Sequence, residues 1–180
     1  MKTKHFILLL VIAASFSACT PKIVFNEALR NNLDLKQIKP EKLQFYIDRD
    51  VDMRREIASN STRISGGKIE YYKGKNVQIL NIKELTPGIC LRSTDSTLDI
   101  AFESNNELYL TFKKIKSPDL DVKIYMLDGF KNEEGNFFVN YGGVSYQIDE
   151  KAAEAKILIK RKIANKENVN VKKIKGRKVS

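Results

Sequence analysis

Histidine and tryptophan are almost missing from this chain. It has one histidine, His5, and no tryptophan. Nucleophilic Ser-His and Cys-His pairs need an imidazole base, and many zinc sites use imidazole ligands. His5 lies in an N-terminal segment that we expect to be removed, so the mature chain would have no imidazole for either kind of site. Carboxylate pairs and Ser-Lys pairs remain chemically open, but the sequence has no recognisable catalytic motif. We therefore expect a protein that is not an enzyme and that holds neither a cofactor nor a metal ion.

Cysteine is also scarce. The chain has two cysteines, Cys19 and Cys90. We expect the thiol of Cys19 to be covalently modified. Cys90 then has no partner for an internal disulfide. The fold must then depend on packing rather than on cross-links. Cys90 stands in the apolar run Ile89-Cys90-Leu91, where we expect a buried side chain of low reactivity.

The first nineteen residues have the pattern of an export signal. A basic opening is followed by an apolar run over residues 6–14 and by small residues up to Cys19. An apolar run of about 7–15 residues is typical of a secretory signal and is shorter than a membrane span. Phe16-Ser17-Ala18-Cys19 resembles the lipobox of bacterial lipoproteins, although Phe16 stands where leucine is usual. The resemblance implies that residues 1–18 are removed and that Cys19 becomes the lipidated first residue. The alternative is an ordinary signal peptide with an incidental cysteine.

Residues 19–40 are expected to carry the lipid and to form a tether to the folded domain. Apolar residues between Val24 and Ile38 follow helical spacing, which predicts a short helix that is interrupted at Asn31-Asn32 and closed by Pro40. The residues just after Cys19 lack the acidic cluster of surface-export signals in lipoproteins of Bacteroidota. By that resemblance, we expect an anchor in the outer membrane and a domain that faces the periplasm.

Between residues 41 and 159, apolar residues alternate along the chain in short runs. From Leu43 to Ile57 they fall on odd positions, which predicts one half-buried strand with a bend near Arg49. Gly142-Gly143 separates two further alternating runs and predicts a tight hairpin. The pattern predicts an all-β, antiparallel domain of about eight short strands, arranged as a sandwich or a partly open barrel.

Positive charge is concentrated in residues 160–180. The whole chain has a formal net charge of +10, and this segment contains nine basic residues and one acidic residue. The domain that precedes this segment carries balanced positive and negative charge, and charge confined to one end of the chain does not favour nucleic-acid binding. We expect a flexible tail that contacts an anionic partner: lipid headgroups, an anionic envelope polymer or an envelope protein. A solubilising tail without a partner is the alternative. The candidate contact residues are Lys160, Arg161, Lys162, Lys172, Lys173, Lys175, Arg177 and Lys178.

Three aspartates occupy alternate positions of the first predicted strand. Asp48, Asp50 and Asp52 would share one face of that strand, and three carboxylates could bind calcium. The loop and glycine that would wrap them around an ion are missing, and arginines stand nearby. We therefore expect a solvated strand face.

A candidate modification site lies at Asp95-Ser96-Thr97, in an expected hairpin tip. These residues resemble the three-residue motif at which Bacteroidota O-glycosylate exported proteins. The resemblance makes Ser96 a candidate glycosylation site.

Aromatic residues could line a ligand groove, but their alternation favours a sheet interior. The candidates are Tyr71, Tyr72, Tyr109, Phe137, Phe138, Tyr141 and Tyr146.

Three stretches of the expected domain look like small uncharacterised lipoproteins of Bacteroidota: Leu43–Ile47, Thr86–Gly88 and Tyr141–Tyr146. This resemblance implies an all-β domain tethered to a membrane and supplies no catalytic residues. We therefore expect a lipid-anchored, non-enzymatic binding or assembly module of the cell envelope. One alternative is an accessory lipoprotein of an envelope-spanning secretion or conjugation apparatus. A second, less favoured, is a hydrolase that uses carboxylates or a Ser-Lys pair.

Overall fold

Thirteen β-strands and three short helices form the part of the chain that the structure describes. The structure is a computed structural model, and it describes residues 21–57, 67–72, 74–117 and 121–164. The strands are β1 (Lys22–Val24), β2 (Gln44–Ile47), β3 (Val51–Ile57), β4 (Lys68–Tyr72), β5 (Lys75–Ile82), β6 (Pro87–Ser93), β7 (Thr97–Ala101), β8 (Tyr109–Lys116), β9 (Lys123–Leu127), β10 (Phe130–Lys131), β11 (Phe137–Tyr141), β12 (Val144–Ile148) and β13 (Ile157–Lys160). The helices are α1 (Glu27–Leu35), α2 (Glu150–Ala153) and α3 (Arg161–Ala164), and a 3₁₀ turn spans Pro40–Lys42.

The strands pair into two antiparallel sheets. The larger has seven strands in the order β1-β13-β2-β6-β7-β8-β9, and the smaller has six in the order β10-β11-β12-β3-β5-β4. β1 and β9 stand at the two ends of the larger sheet, and isolated bridges from Ile124 to Asn26 and from Met126 to Lys156 bring β9 back beside the residues that flank β1 and β13. The described strands curl in this way without forming a closed barrel. The all-β antiparallel prediction is confirmed. The strand count exceeds the predicted eight, in part because short strands such as β1 and β10 carry little alternation.

Both sheets contribute to one hydrophobic core. The seven-stranded sheet contributes Phe45 and Phe112, and the six-stranded sheet contributes Met53 and Val139, all of which are buried. Alternate residues of β2 and of the first half of β3 are buried, as expected for strands with one face on a core.

The predicted bent strand over 43–57 is in fact two strands in different sheets. β2 belongs to the larger sheet and β3 to the smaller one, and residues 48–50 form the corner between them. The Asp48 carboxylate accepts a hydrogen bond from the Lys156 backbone N–H at 2.7 Å, and Asp50 accepts one from the Glu84 N–H at 2.7 Å. These bonds satisfy backbone donors that a continuous ladder would otherwise pair.

The N-terminal boundary of the predicted domain is wrong. Residues 21–40 are not a tether, because β1 pairs with β13 and Phe25 and Leu33 are buried in the core. Asn26 caps the start of helix α1, and its side chain accepts a hydrogen bond from the Leu29 N–H at 2.8 Å. It then continues through Asn31-Asn32, since its buried face outweighs the weak helix propensity of asparagine.

The C-terminal boundary also needs correction. Lys160 is the last residue of β13, and α3 follows it directly, with Ile163 packed against the core. The packed domain therefore extends to residue 164 rather than ending at 159. The remainder of the predicted tail, residues 165–180, lies outside the described residues.

The predicted glycine hairpin is confirmed. Tyr141 and Val144 are paired across the turn, and Gly142 and Gly143 have φ values of +59° and +74°. Two successive positive φ angles match the twist of an antiparallel hairpin and favour glycine at both positions.

The packing of residues 21–40 can be tested with Phe25→Ala. The Phe25 ring lies 5.2 Å from that of Phe45 and 5.4 Å from that of Tyr125 between ring centroids, and its side chain is fully buried. We expect its removal to lower the free energy of unfolding by about 3–5 kcal/mol. Chemical denaturation monitored by circular dichroism would measure this change.

Leu35→Ala is the matched control, because Leu35 lies in the same segment and is 87% exposed. We expect it to change stability by less than about 0.5 kcal/mol. Equal, small effects of the two substitutions would mean that the segment is a tether after all.

Candidate functional site

The two ends of the described chain meet at one edge of the larger sheet. Because β1 and β13 are antiparallel, the start of β1 lies beside the end of β13. The Arg161 N–H donates a hydrogen bond to the Pro21 carbonyl at 2.9 Å. Cys19 stands two residues before Pro21 in the sequence. The fold thus places Pro21, where the described chain begins, next to the start of the basic segment.

Two lysines flank an aromatic ring at this edge. Lys22 and Lys160 are directly paired across β1 and β13, so their side chains share a face of the sheet. The Lys22 Nζ lies 4.6 Å, and the Lys160 Nζ 5.9 Å, from the ring centroid of Tyr46 on β2. Neither ammonium forms an ion pair with a carboxylate of the described chain. Like charges in direct cross-strand pairs are unfavourable, and contact with the ring offsets part of this cost.

More basic residues stand at the same end of the sheet. Strand β2 starts beside the end of β13, since Phe45 pairs with Ile159, and the 3₁₀ turn leads into it. The acidic residue of that turn, Glu41, accepts a hydrogen bond from the Ser93 hydroxyl at 2.5 Å. We call the cationic residues of these adjoining segments the basic end; they are Lys22, Lys39, Lys42, Lys160, Arg161 and Lys162.

The predicted site residues fall into three groups. Lys160, Arg161 and Lys162 belong to the basic end, in β13 and α3. Ser96 lies exposed in the loop between β6 and β7, so its predicted place at a hairpin tip is confirmed, while its glycosylation stays a prediction. The remaining predicted residues lie outside the described residues: Cys19, Lys172, Lys173, Lys175, Arg177 and Lys178.

The three alternating aspartates do not converge. Asp48 binds the Lys156 N–H, Asp50 binds the Lys83 ammonium at 2.8 Å, and Asp52 binds the Asn81 amide. The bond from Lys83 lowers the pKa of Asp50 below its usual range. Within the described ranges, no group of three His, Cys, Asp or Glu side chains is close enough to hold a metal ion. The calcium alternative therefore has no support in the geometry of these carboxylates.

A shallow groove lies on the outer face of the smaller sheet. It encloses about 530 Å³. Its walls carry both signs of charge, and the Lys75 ammonium is 2.7 Å from the Glu56 carboxylate. No aromatic side chain is among the described residues that line it; Tyr141 and Tyr146 are buried in the core, and Tyr71 is 77% exposed on edge strand β4. The described lining residues are Arg54, Arg55, Glu56, Glu70, Lys75, Val77, Ile79 and Gln147.

Cys90 is buried, as predicted. Its side chain is 5% exposed, and its thiol donates to the Arg92 carbonyl at 3.3 Å. Burial raises the pKa of the thiol to about 12. At neutral pH the group is therefore a neutral thiol and a poor nucleophile.

The sequence locates the basic segment but does not reveal the part that Lys22 and Tyr46 play beside it. The sequence predicts that Lys22 belongs to a flexible tether. Such a tether would give Lys22 no fixed position relative to Lys160. Tyr46 falls on the outward phase of an alternating strand, which is the available signal that it faces away from the core. Only the pairing of β1 with β13 and of β13 with β2 brings these side chains together.

Comparisons with known proteins give no relative: no family model, curated protein or solved structure matches this chain. Among the described residues, no helix combines the length and apolar character needed to cross a membrane.

The state of Cys90 predicts slow thiol chemistry in the folded protein. In full-length Cys19→Ala, where Cys90 is the remaining cysteine, we expect a disulfide-exchange reagent at pH 8 to react only as fast as the protein opens, because the thiolate is scarce and enclosed. Absorbance at the wavelength of the released thiol would follow the reaction. Adding Ser96→Cys should give one fast equivalent from the exposed loop, and a similarly fast second equivalent would contradict the burial of Cys90.

Alkaline pH should destabilise the fold through Tyr141. Burial raises the pKa of this phenol above its usual 10.0, and the hydrogen bond that the phenol donates to Glu103 raises it further by a smaller amount. The unfolded chain therefore loses the proton at a lower pH than the folded chain, so the free energy of unfolding falls as pH rises above about 10. Urea unfolding from pH 8 to 11 should show a shallower fall for Tyr141→Phe, and an unchanged fall for Tyr71→Phe in the exposed edge strand. If the free energy of unfolding fell equally steeply with pH in the wild type and in both variants, Tyr141 would not contribute to the alkaline loss of stability.

Proposed function

We propose that this protein is a lipid-anchored lipoprotein of the bacterial cell envelope that acts in binding or assembly rather than in catalysis. Lipidation of Cys19 would hold the β-domain at a membrane, with the outer membrane and a periplasmic domain as the expected placement. The basic segment that begins at Lys160 would contact an anionic partner there: lipid headgroups, an envelope polymer or an envelope protein.

The contact between Pro21 and Arg161 is the observation that supports this proposal best. The lipobox-like sequence ends at Cys19, and Pro21 is already hydrogen-bonded to Arg161. A lipid on Cys19 would thus place the edge formed by β1 and β13 beside the membrane surface. The positive charges at that edge repel one another when no counter-charge is present. Anionic headgroups would supply that counter-charge, so the arrangement is favourable near a membrane.

Anchoring by several acyl chains also suits a domain of this kind. One acyl chain gives only marginal, reversible binding, whereas the several chains of a bacterial lipoprotein hold a protein stably. A β-domain with its own core needs no spanning helix to stay at the membrane. Its exposed loops and edge strands are then available to partners.

The anchor is tested by Cys19→Ala in the full-length protein, expressed in a bacterium that processes lipoproteins. We expect the wild type to incorporate labelled palmitate and to fractionate with membranes after a high-salt wash, because its attachment is hydrophobic. The variant should incorporate no label and should leave the membrane pellet on washing. Immunoblots of washed fractions and fluorography would measure both.

Two controls make this test specific. Cys90→Ala should keep both label and membrane attachment, since Cys90 lies in the core. Palmitate labelling that survives Cys19→Ala, or membrane attachment that does not depend on Cys19, would refute the proposed anchor.

A further inference from the structure

The basic end contains a surface built by side chains of three neighbouring strands. The geometry points to a docking surface for the phosphate groups of anionic lipids, formed by Lys22, Lys160 and Tyr46; we call it the lysine–tyrosine patch. The inference rests on the proposed anchor at Cys19 and adds to it a defined orientation, with this face of the larger sheet turned toward the bilayer.

The first support is the charge balance of the patch. Lys22 and Lys160 are paired on adjacent strands with no carboxylate partner among the described residues. Two lysines at the ends of β5 in the other sheet are neutralised, since the Lys75 Nζ is 2.7 Å from Glu56 and the Lys83 Nζ is 2.8 Å from Asp50. A phosphate would supply the counter-charge that the patch lacks.

The second support is Tyr46. Its half-buried ring lies beneath both ammonium groups, at 4.6 Å and 5.9 Å from its centroid. The contact keeps both lysine side chains over the sheet, so they are held together before any anion arrives. Tyrosine and lysine both have an apolar body and a polar tip, which suits them to the headgroup region of a membrane.

The third support is the short connection to the anchor. Pro21 follows Cys19 by two residues, and two extended residues span at most about 7 Å. Lys22 is one residue further, so its backbone lies at most about 11 Å from that of Cys19. The Debye length at physiological ionic strength is about 8 Å, so part of the headgroup potential around an anchored Cys19 would reach Lys22. This proximity favours lipid over a soluble polymer or a protein as the occupant.

The absence of tryptophan from the chain gives a direct test. The lipidated full-length protein carrying Tyr46→Trp is purified and reconstituted into phosphatidylcholine vesicles with and without phosphatidylglycerol (about 30% of the lipid, to give an anionic surface), each with a headgroup spin label as quencher. We expect the fluorescence of the introduced indole to be blue-shifted and quenched in the vesicles that contain phosphatidylglycerol. Without the anionic lipid, or at high salt, most of the quenching should be lost.

Matched variants separate the patch from its surroundings. Lys22→Gln and Lys160→Gln should each lower the equilibrium constant for the quenched orientation by about fivefold. Lys131→Gln is the control, because its ammonium makes a similar contact, 4.4 Å from the Phe137 ring centroid, in the other sheet. A chain with Tyr71→Trp as its one tryptophan should remain unquenched, since this residue is exposed on edge strand β4 of the smaller sheet.

Each contrary result has a distinct meaning. An unquenched indole at position 46, in a protein that still carries its lipid, would overturn the inference and leave the proposed anchor intact. Quenching that is equally strong in vesicles of phosphatidylcholine alone would also overturn it, since the patch would then have no need of an anionic lipid. Membrane attachment without any dependence on Cys19 would refute the anchor itself.

A glutamine variant of the basic residues beyond the patch distinguishes the patch from the rest of the basic segment. Quenching that disappears in this variant, but not when Lys22 and Lys160 are changed, would overturn the inference and assign the contact to the tail. The residues changed together to glutamine are Lys172, Lys173, Lys175, Arg177 and Lys178.

Discussion

The pairing of β1 with β13 is the constraint on which the arrangement of this molecule depends. It fixes residue 21 at the edge of the larger sheet and, through Phe25 directly after β1, extends the core under that edge. Because the pair is antiparallel, the segment that follows Cys19 and the segment that begins the basic stretch have to emerge together. The juxtaposition of Pro21 and the start of the basic segment is therefore a consequence of strand topology and not of sequence proximity.

The class of fold can be predicted from the sequence because the information for it is local. Alternation in β2, β3 and β12 identifies strands, and the Gly142-Gly143 pair identifies a hairpin, without knowledge of any partner. The predicted domain boundaries are wrong at both ends because they depend on contacts between distant parts of the chain. β1 has three residues, and its stability comes from β13, which lies more than a hundred residues away in the chain. Such a strand has no pattern of its own to read.

The candidate site is predictable only in part. The basic segment is visible as composition, and Lys160 falls within it, although composition predicts a tail there and not a strand. The cross-strand contact of Lys22, and the ring of Tyr46 beneath it, depend on register. A shift of one residue in β13 would turn Lys160 to the other face of the sheet, so no composition argument could have located the pair.

Cys19 is separated from Pro21 by one residue in the sequence, and this short separation changes what a lipid anchor would mean for this domain. A long flexible tether would let every face of the domain sample the membrane, and surface charge would then select an orientation only weakly. With so few residues between a lipidated Cys19 and the hydrogen-bonded Pro21, the β1–β13 edge would stay within reach of the bilayer, and the headgroup potential would then decide which face of that edge turns toward the lipid. Under that restriction, carboxylates at this edge would be repelled by anionic lipid, whereas the Lys22–Lys160 pair would gain its counter-charge. A lysine pair on β1 and β13 that has no carboxylate partner among the described residues is the arrangement that such a restriction would favour.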